Sequence, residues 1–324
     1  MSIPGFDPRW RDFPDYIIGI TKEIWEDRKI NTLHQYYADD IVVRSPASIA
    51  VGNKNIIGAT MATLAEFPDR ALLAEDVIWC GDENTGFLSS HRLVSTATHV
   101  NDGVYGKATG KKLTYRIIAD CAAKTNTIYD EWLVRDQGAI VRQLGIRPEA
   151  YARALIDSEG GPESCVKPLT AHNDVAGTYT GTGNDHPLGQ RYADILKRIM
   201  NAEMSVISAE YDRACTLEYA GGLNVQGHGA ADQFWMGLRA SLPSAQFMVH
   251  HTIGREDAMM PPRAAVRWSL QGKHDGWGML GKPTNADVYV LGLSHAEFGP
   301  WGLRREFCLY DETALWKQLL LQTG

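Results

Sequence analysis

Glu131-Trp132-Leu133-Val134-Arg135-Asp136-Gln137-Gly138-Ala139-Ile140-Val141-Arg142-Gln143-Leu144 and Glu306-Phe307-Cys308-Leu309-Tyr310-Asp311-Glu312-Thr313-Ala314-Leu315-Trp316-Lys317-Gln318-Leu319 follow one pattern. Each runs Glu, aromatic, any residue, apolar, any, Asp, two of any kind, Ala, apolar, any, basic, Gln, Leu, at an offset of 175 residues. Further pairs keep the register: Gly52 with Gly227, Arg92 with Arg267, His99 with His274, and Gly106-Lys107-Ala108-Thr109 with Gly281-Lys282-Pro283-Thr284. Asp120 falls opposite His295. A set of matches in constant register points to an internal duplication.

The spacing predicts the same elements in both halves. Helical periodicity covers residues 16–26 and 192–200, and Gly52 and Gly227 open further helices at 56–65 and 231–240. Four strand-like runs follow in each half, at 72–79, 87–98, 113–122 and 128–134, then at 246–253, 264–270, 287–296 and 303–310. Helices first and consecutive strands second make each half an α+β unit on an antiparallel sheet. Residues 1–146 and 187–324 read as the two domains, with 147–186 a partly helical connector.

Composition narrows the function classes. The chain has 324 residues, 44% apolar and 22% charged, with a net charge of −7 and no basic run, which argues against nucleic acid as a partner. The opening Met1-Ser2-Ile3-Pro4-Gly5 lacks the charged and apolar regions of a signal peptide, and no apolar run approaches the ~18 residues of a membrane span. Cysteines 80, 121, 165, 215 and 308 are scattered without a CxxC, as expected of reduced thiols in the cytoplasm.

The order helix, helix, strand, Gly-led helix and curved meander, ending in Glu-Trp-x-x-x-Asp and Arg-Gln-Leu-Gly, resembles the SnoaL-like polyketide cyclases of the NTF2-like superfamily. Arg267-Trp268-Ser269-Leu270-Gln271-Gly272-Lys273-His274-Asp275-Gly276 is similar to that family's Arg-Trp…Gly-x-His-x-Gly segment, and Gly281-Lys282-Pro283-Thr284 to its Gly-x-Pro-Thr turn. The resemblance implies two tandem NTF2-like cones, each a bent sheet around a helix with an apolar pocket. Members pair sheet to sheet, which implies an intrachain pseudo-dimer here, or a homodimer of the chain. The family's cyclases remove a proton from a carbon acid without metal or cofactor, which requires a carboxylate or imidazole in an apolar cone.

Four residues are candidates for that role. Asp120 and His295 sit on the penultimate strand of each half, either facing the pocket or lying at a solvent-facing edge. Glu131 and Glu306 sit on the last strand, sharing a face with Leu133 and Cys308. The resemblance implies that the family's catalytic aspartate falls at Leu133 and Cys308, and neither half keeps a carboxylate there. Glu131 and Glu306 either substitute for it or are exposed or Arg-paired. Asp136 and Asp311 read as caps, and Arg92 and Arg267 as sheet-pairing residues. His250, His251, His274 and His295 match no metal-ligand spacing, so no metal is expected. Trp235, His251, Trp268, Tyr289 and Cys308 are candidates to line a ligand site, and this aromatic set favours the second half as the active one.

Two functions follow. One is a lyase, isomerase or cyclase acting by acid/base chemistry on a small apolar carbonyl compound, with His295 or Glu306 as base in the second half and Asp120 or Glu131 in the first. The other is a non-catalytic small-molecule-binding or scaffold protein of the same fold.

Overall fold

The computed structural model describes residues 3–324. The first half runs α1 Phe13–Thr21, α2 Leu33–Tyr36, β1 Tyr37–Ser45, β2 Ser48–Val51, α3 Asn53–Glu66, β3 Ala71–Asp82, β4 Gly86–Thr98, β5 Lys112–Lys124, β6 Thr127–Arg135 and α4 Gln137–Leu144. After α5, Pro148–Ser158, and an irregular stretch, the second half repeats the series: α6 Pro187–Met200, α7 Ser205–Glu210, β7 Tyr211–Tyr219, β8 Leu223–Gln226, α8 His228–Ser241, β9 Gln246–Arg255, β10 Arg263–Lys273, β11 Asp287–Gly299, β12 Gly302–Leu309 and α9 Glu312–Thr323.

Each half builds one six-stranded sheet, in the order β2-β1-β6-β5-β4-β3 and β8-β7-β12-β11-β10-β9. The β3–β6 and β9–β12 meanders are antiparallel, as the strand-like runs predict. β1 and β7 come earlier in the chain and join the far edge parallel to β6 and β12. The sheets are therefore mixed, because the helical segment carries the chain back across the cone before the meander begins.

Local chemistry explains the elements. Asp12 accepts the Asp15 N–H to open α1, whose stripe Phe13, Tyr16, Ile17 and Ile20 is buried inside the first sheet. One π-type turn, Lys22–Glu26, extends it, so the helical reading of residues 16–26 ends in a wider coil. Gly52 and Gly227 hold φ of +88° and +80°, left-handed values that let β2 and β8 turn straight into α3 and α8. Asp136 and Asp311 cap α4 and α9, accepting the Ala139 N–H and the Thr313 and Ala314 N–H groups.

The duplication extends to loop geometry. His99 donates its backbone N–H to Lys111 and holds Nδ1 3.2 Å from Thr109 Oγ1. His274 does the same with Ala286 and Thr284, also at 3.2 Å. The outer faces of the two sheets pack on each other, burying Ile118, Val134, Leu291, Leu293, Phe307 and Leu309.

Candidate active site

The odd-numbered residues of β4, β5 and β6 face the interior of the first cone. Register places Ser89, Cys121 and Glu131 in one row, His91, Ala119 and Leu133 in the next, and Leu93, Ile117 and Arg135 in a third. All of these but Ser89 line a cavity of about 320 Å³, closed on the helical side by Ile17, Ile20, Ile56, Ala59 and Thr60. Its wall is mainly apolar, with Glu131, His91, Arg70, Arg135 and Asp311, besides the Tyr37 phenol and the Cys121 thiol, as the ionisable side chains.

Glu131 is buried, and burial pushes its carboxyl up to about 7, against the opposing pull of the Tyr37 phenol and with a small push from Asp130. Its Oε2 has no hydrogen-bond partner among the described residues. The neighbouring His91 is held neutral: burial, with Arg92 adding repulsion, lowers its pKa to about 3. Further along the sheet, Arg70 Nε donates to Tyr115 Oη at 3.1 Å and Ser95 Oγ at 3.4 Å. Burial opposes ionisation of Tyr115, yet Arg70 and Arg135 hold its phenol below the usual tyrosine value.

The second cone has the same frame but no comparable room. At the 175-residue offset, Ala59 becomes Phe234, Thr60 becomes Trp235 and Leu93 becomes Trp268, while the last residue of the first strand changes from Ser45 to Tyr219. These side chains fill the interior: Tyr219 stacks on Phe234 at 3.8 Å, and Trp235 lies 6.2 Å from Trp268, with both indoles fully buried. Glu306 is enclosed with them. Tyr192 and Tyr211 each donate to its Oε1 at 2.9 Å, and Tyr219 donates to Oε2. Burial raises its pKa, opposed by those phenols. The expectation that the second half is the active one is corrected on this point: its aromatic residues occupy the volume that a ligand would need.

Asp120 and His295 are turned away from both cones. His295 pairs in register with Phe307 and Asp120 with Trp132, rows that alternate with the interior ones, so both side chains lie between the packed sheets. His295 lies 2.8 Å from Ser90 Oγ and 3.2 Å from an Arg92 nitrogen. Arginine only donates, so Nδ1 accepts and Nε2 carries the proton towards Ser90. Burial drives the His295 pKa well below the usual value, with Arg92, Arg263 and His91 adding repulsion. Asp120 accepts from Arg267 at 2.8 Å, and burial raises its pKa against that pairing. Asp120 alternates with the inward-facing Cys121, and His295 with Ser294 and Ala296, which pair with Cys308 and Glu306, so both lie on the outer face of their sheets and the pocket-facing reading of both is corrected.

The ligand-lining candidates scatter. Trp235, Trp268 and Cys308 belong to the filled second core. His251 meets Tyr179 of the connector at 2.8 Å, and Tyr289 borders a cleft between the sheets with His250 and Arg267. Arg92 reaches Glu75, Glu297 and the face of Phe307, its centroid 3.5 Å away, so it joins the two sheets. His91, Arg70, Arg135 and Tyr115 were not singled out from the sequence. Arg135 had a readable signal, since it shares the face of Glu131 at twice the strand period. Among the described residues, no group of three or more His, Cys, Asp or Glu is placed to hold a metal ion.

Comparison with known proteins supplies the remaining observations. Residues 16–144 match the family model described as SnoaL-like polyketide cyclase. No curated protein sequence gives a match. Among solved structures, IdmH from Streptomyces antibioticus is similar at 22% identity and a TM-score of 0.36, over 41% of this chain and 98% of its own. A SnoaL-like polyketide cyclase from Agrobacterium tumefaciens aligns at 20% identity and a TM-score of 0.33, over 41% of this chain and 97% of its own. AclR from Streptomyces galilaeus aligns at 16% identity and a TM-score of 0.36, over 41% of this chain and 98% of its own. The residues matched by the SnoaL-like polyketide cyclase model, 16–144, cover the first cone from α1 to the end of α4, and the second half repeats that cone's order of helices and strands.

Proposed function

We propose that the first domain is a SnoaL-like acid/base enzyme, a cyclase, isomerase or lyase, that removes a proton from a carbon next to a carbonyl group. The observation that carries this reading is Glu131: a buried carboxyl in a mainly apolar cavity, pushed up to about 7, with one oxygen free of partners among the described residues, whereas Asp311 on the same wall is occupied as the cap of α9. A carboxyl poised there is half ionised near neutrality and both takes and returns a proton under the same conditions. Neutral His91 and Arg70 supply donors on the wall of the same cavity for charge developing on oxygen.

The second domain acts in this reading as a scaffold. Its filled cone and fully bonded Glu306 hold a rigid sheet against the back of the catalytic one. The domain limits proposed are 1–146 and 187–324, and the chain is placed in the cytoplasm, in keeping with five free, buried thiols. No helix among the described residues is long and apolar enough to cross a membrane.

The test is exchange of the α-hydrogens of 2-tetralone for deuterium in D2O, followed by proton NMR. The wild-type protein is expected to accelerate exchange and Glu131→Gln to abolish the acceleration while remaining folded. Equal rates in the two proteins would contradict the assignment.

A further inference from the structure

Two arginines border the first cavity without an acidic partner. Arg70 is 5% exposed, and its hydrogen bonds are to Ser95 and Tyr115, both uncharged in their ordinary state. Arg135 lies among the phenols of Tyr105, Tyr115 and Tyr151, and its Nε has no partner among the described residues. Elsewhere the buried arginines are paired: Arg44 with Asp130, Arg92 with Glu297, Arg263 with Asp76 and Arg267 with Asp120. Asp311, the other carboxylate on the cavity wall, accepts from Thr313 and Ala314 as the cap of α9 and forms no ion pair with either arginine.

A buried charge without a counter-charge is costly, and two like charges facing one cavity repel each other. Each is felt by the other and by Tyr115 between them. The second half carries neither: the 175-residue offset puts Ala245 at the position of Arg70 and Tyr310 at that of Arg135. The cationic pair therefore occurs only in the half that has a cavity.

We infer that Arg70 and Arg135 form a carboxylate-binding site at the end of the cavity away from Glu131, so that the substrate is an apolar carbonyl compound that also bears a carboxylate. Arg135 follows Glu131 by four residues on β6, which separates their backbones by about 13 Å at the usual strand rise. Both side chains reach inward, so a guest whose carboxylate sits on the guanidiniums presents a carbon a few bonds away to the Glu131 oxygen. Charge-assisted bonds to two guanidiniums would fix that orientation in a cavity that otherwise offers few polar contacts. This inference rests on Glu131 being the base of the same site.

The experiment compares 4-benzoylbutanoate with 4-benzoylbutanamide, which share an apolar ring and an acidic C–H and differ in charge. Calorimetry on the full chain is expected to give at least tenfold tighter binding of the carboxylate. That preference disappears in Arg135→Met and Arg70→Met and survives in Glu131→Gln. Arg135→Met is also expected to raise the melting temperature of the unliganded protein, since it removes one of two repelling charges, a gain that an arginine serving only as structural support would not give. Equal affinity for acid and amide, no binding of either, or a preference that persists in Arg135→Met would overturn the carboxylate site. Deuterium exchange of the same probes reports separately on the base: exchange unaffected by Glu131→Gln alongside an intact carboxylate preference would remove the base and leave the anion site standing.

Discussion

Thr60 and Trp235 occupy the same position of the Gly-led helix in the two halves, and the difference in their size separates an open cone from a filled one. Thr60 lines the cavity and receives a bond from Trp25 Nε1 at 3.4 Å, whereas Trp235 is fully buried beside Trp268. Thr60→Trp is expected to abolish binding of 4-benzoylbutanoate while leaving the far-ultraviolet circular dichroism unchanged. Binding at wild-type affinity would mean that the guest sits elsewhere.

The reverse substitution probes the other cone. Trp235→Ala removes a large side chain from a packed interior and is expected to destabilise the protein by about 3–5 kcal/mol, measured by urea unfolding. Catalytic exchange should persist at temperatures where the variant is folded. A loss below about 1 kcal/mol would show that the second cone is loosely packed.

Glu131 makes stability depend on pH in a defined direction. Its folded value of about 7 lies above the ordinary glutamate value, so the folded protein holds a proton that the unfolded chain releases. That contribution is fully present below about pH 4.5 and is lost as pH rises to about 7, a difference of about 3 kcal/mol. Glu131→Gln lacks this loss. Its melting temperature should match the wild type near pH 4.5 and exceed it near pH 8, and a constant difference across that range would contradict the shift.

His295 belongs to the joint between the sheets, where it bonds Ser90 and Arg92. His295→Ala leaves those buried partners unsatisfied and is expected to cost about 1–3 kcal/mol in chemical denaturation, with exchange rates at 25 °C unchanged. Loss of turnover at full stability would return His295 to the list of bases.

Much of the architecture was legible in the residues, for physical reasons that also explain what was not. The constant offset between Glu131-Trp132 and Glu306-Phe307 revealed the duplication, and alternation located the eight meander strands because each has one face in a core. β2 and β8 are four-residue edge strands without a buried face, so they leave no periodic trace. The site was harder to locate. Trp235 and Trp268 were read as ligand lining, but large aromatic residues in one cone remove volume, and the smaller Ala59, Thr60 and Ser45 were the better sign of a pocket. Asp120 lies one row off Glu131 and His295 one row off Glu306, yet which row faces inward depends on pairing register, which only the fold supplies.

Direct titration of Glu131 by NMR tests the central claim most closely. With carbon-13 at the glutamate carboxyls, one resonance absent from the Glu131→Gln spectrum is expected to titrate at about 7 in the unliganded protein. A midpoint near 4.5 would mean that the carboxyl is solvated and unshifted, and the first cone would then have no base suited to work at neutral pH.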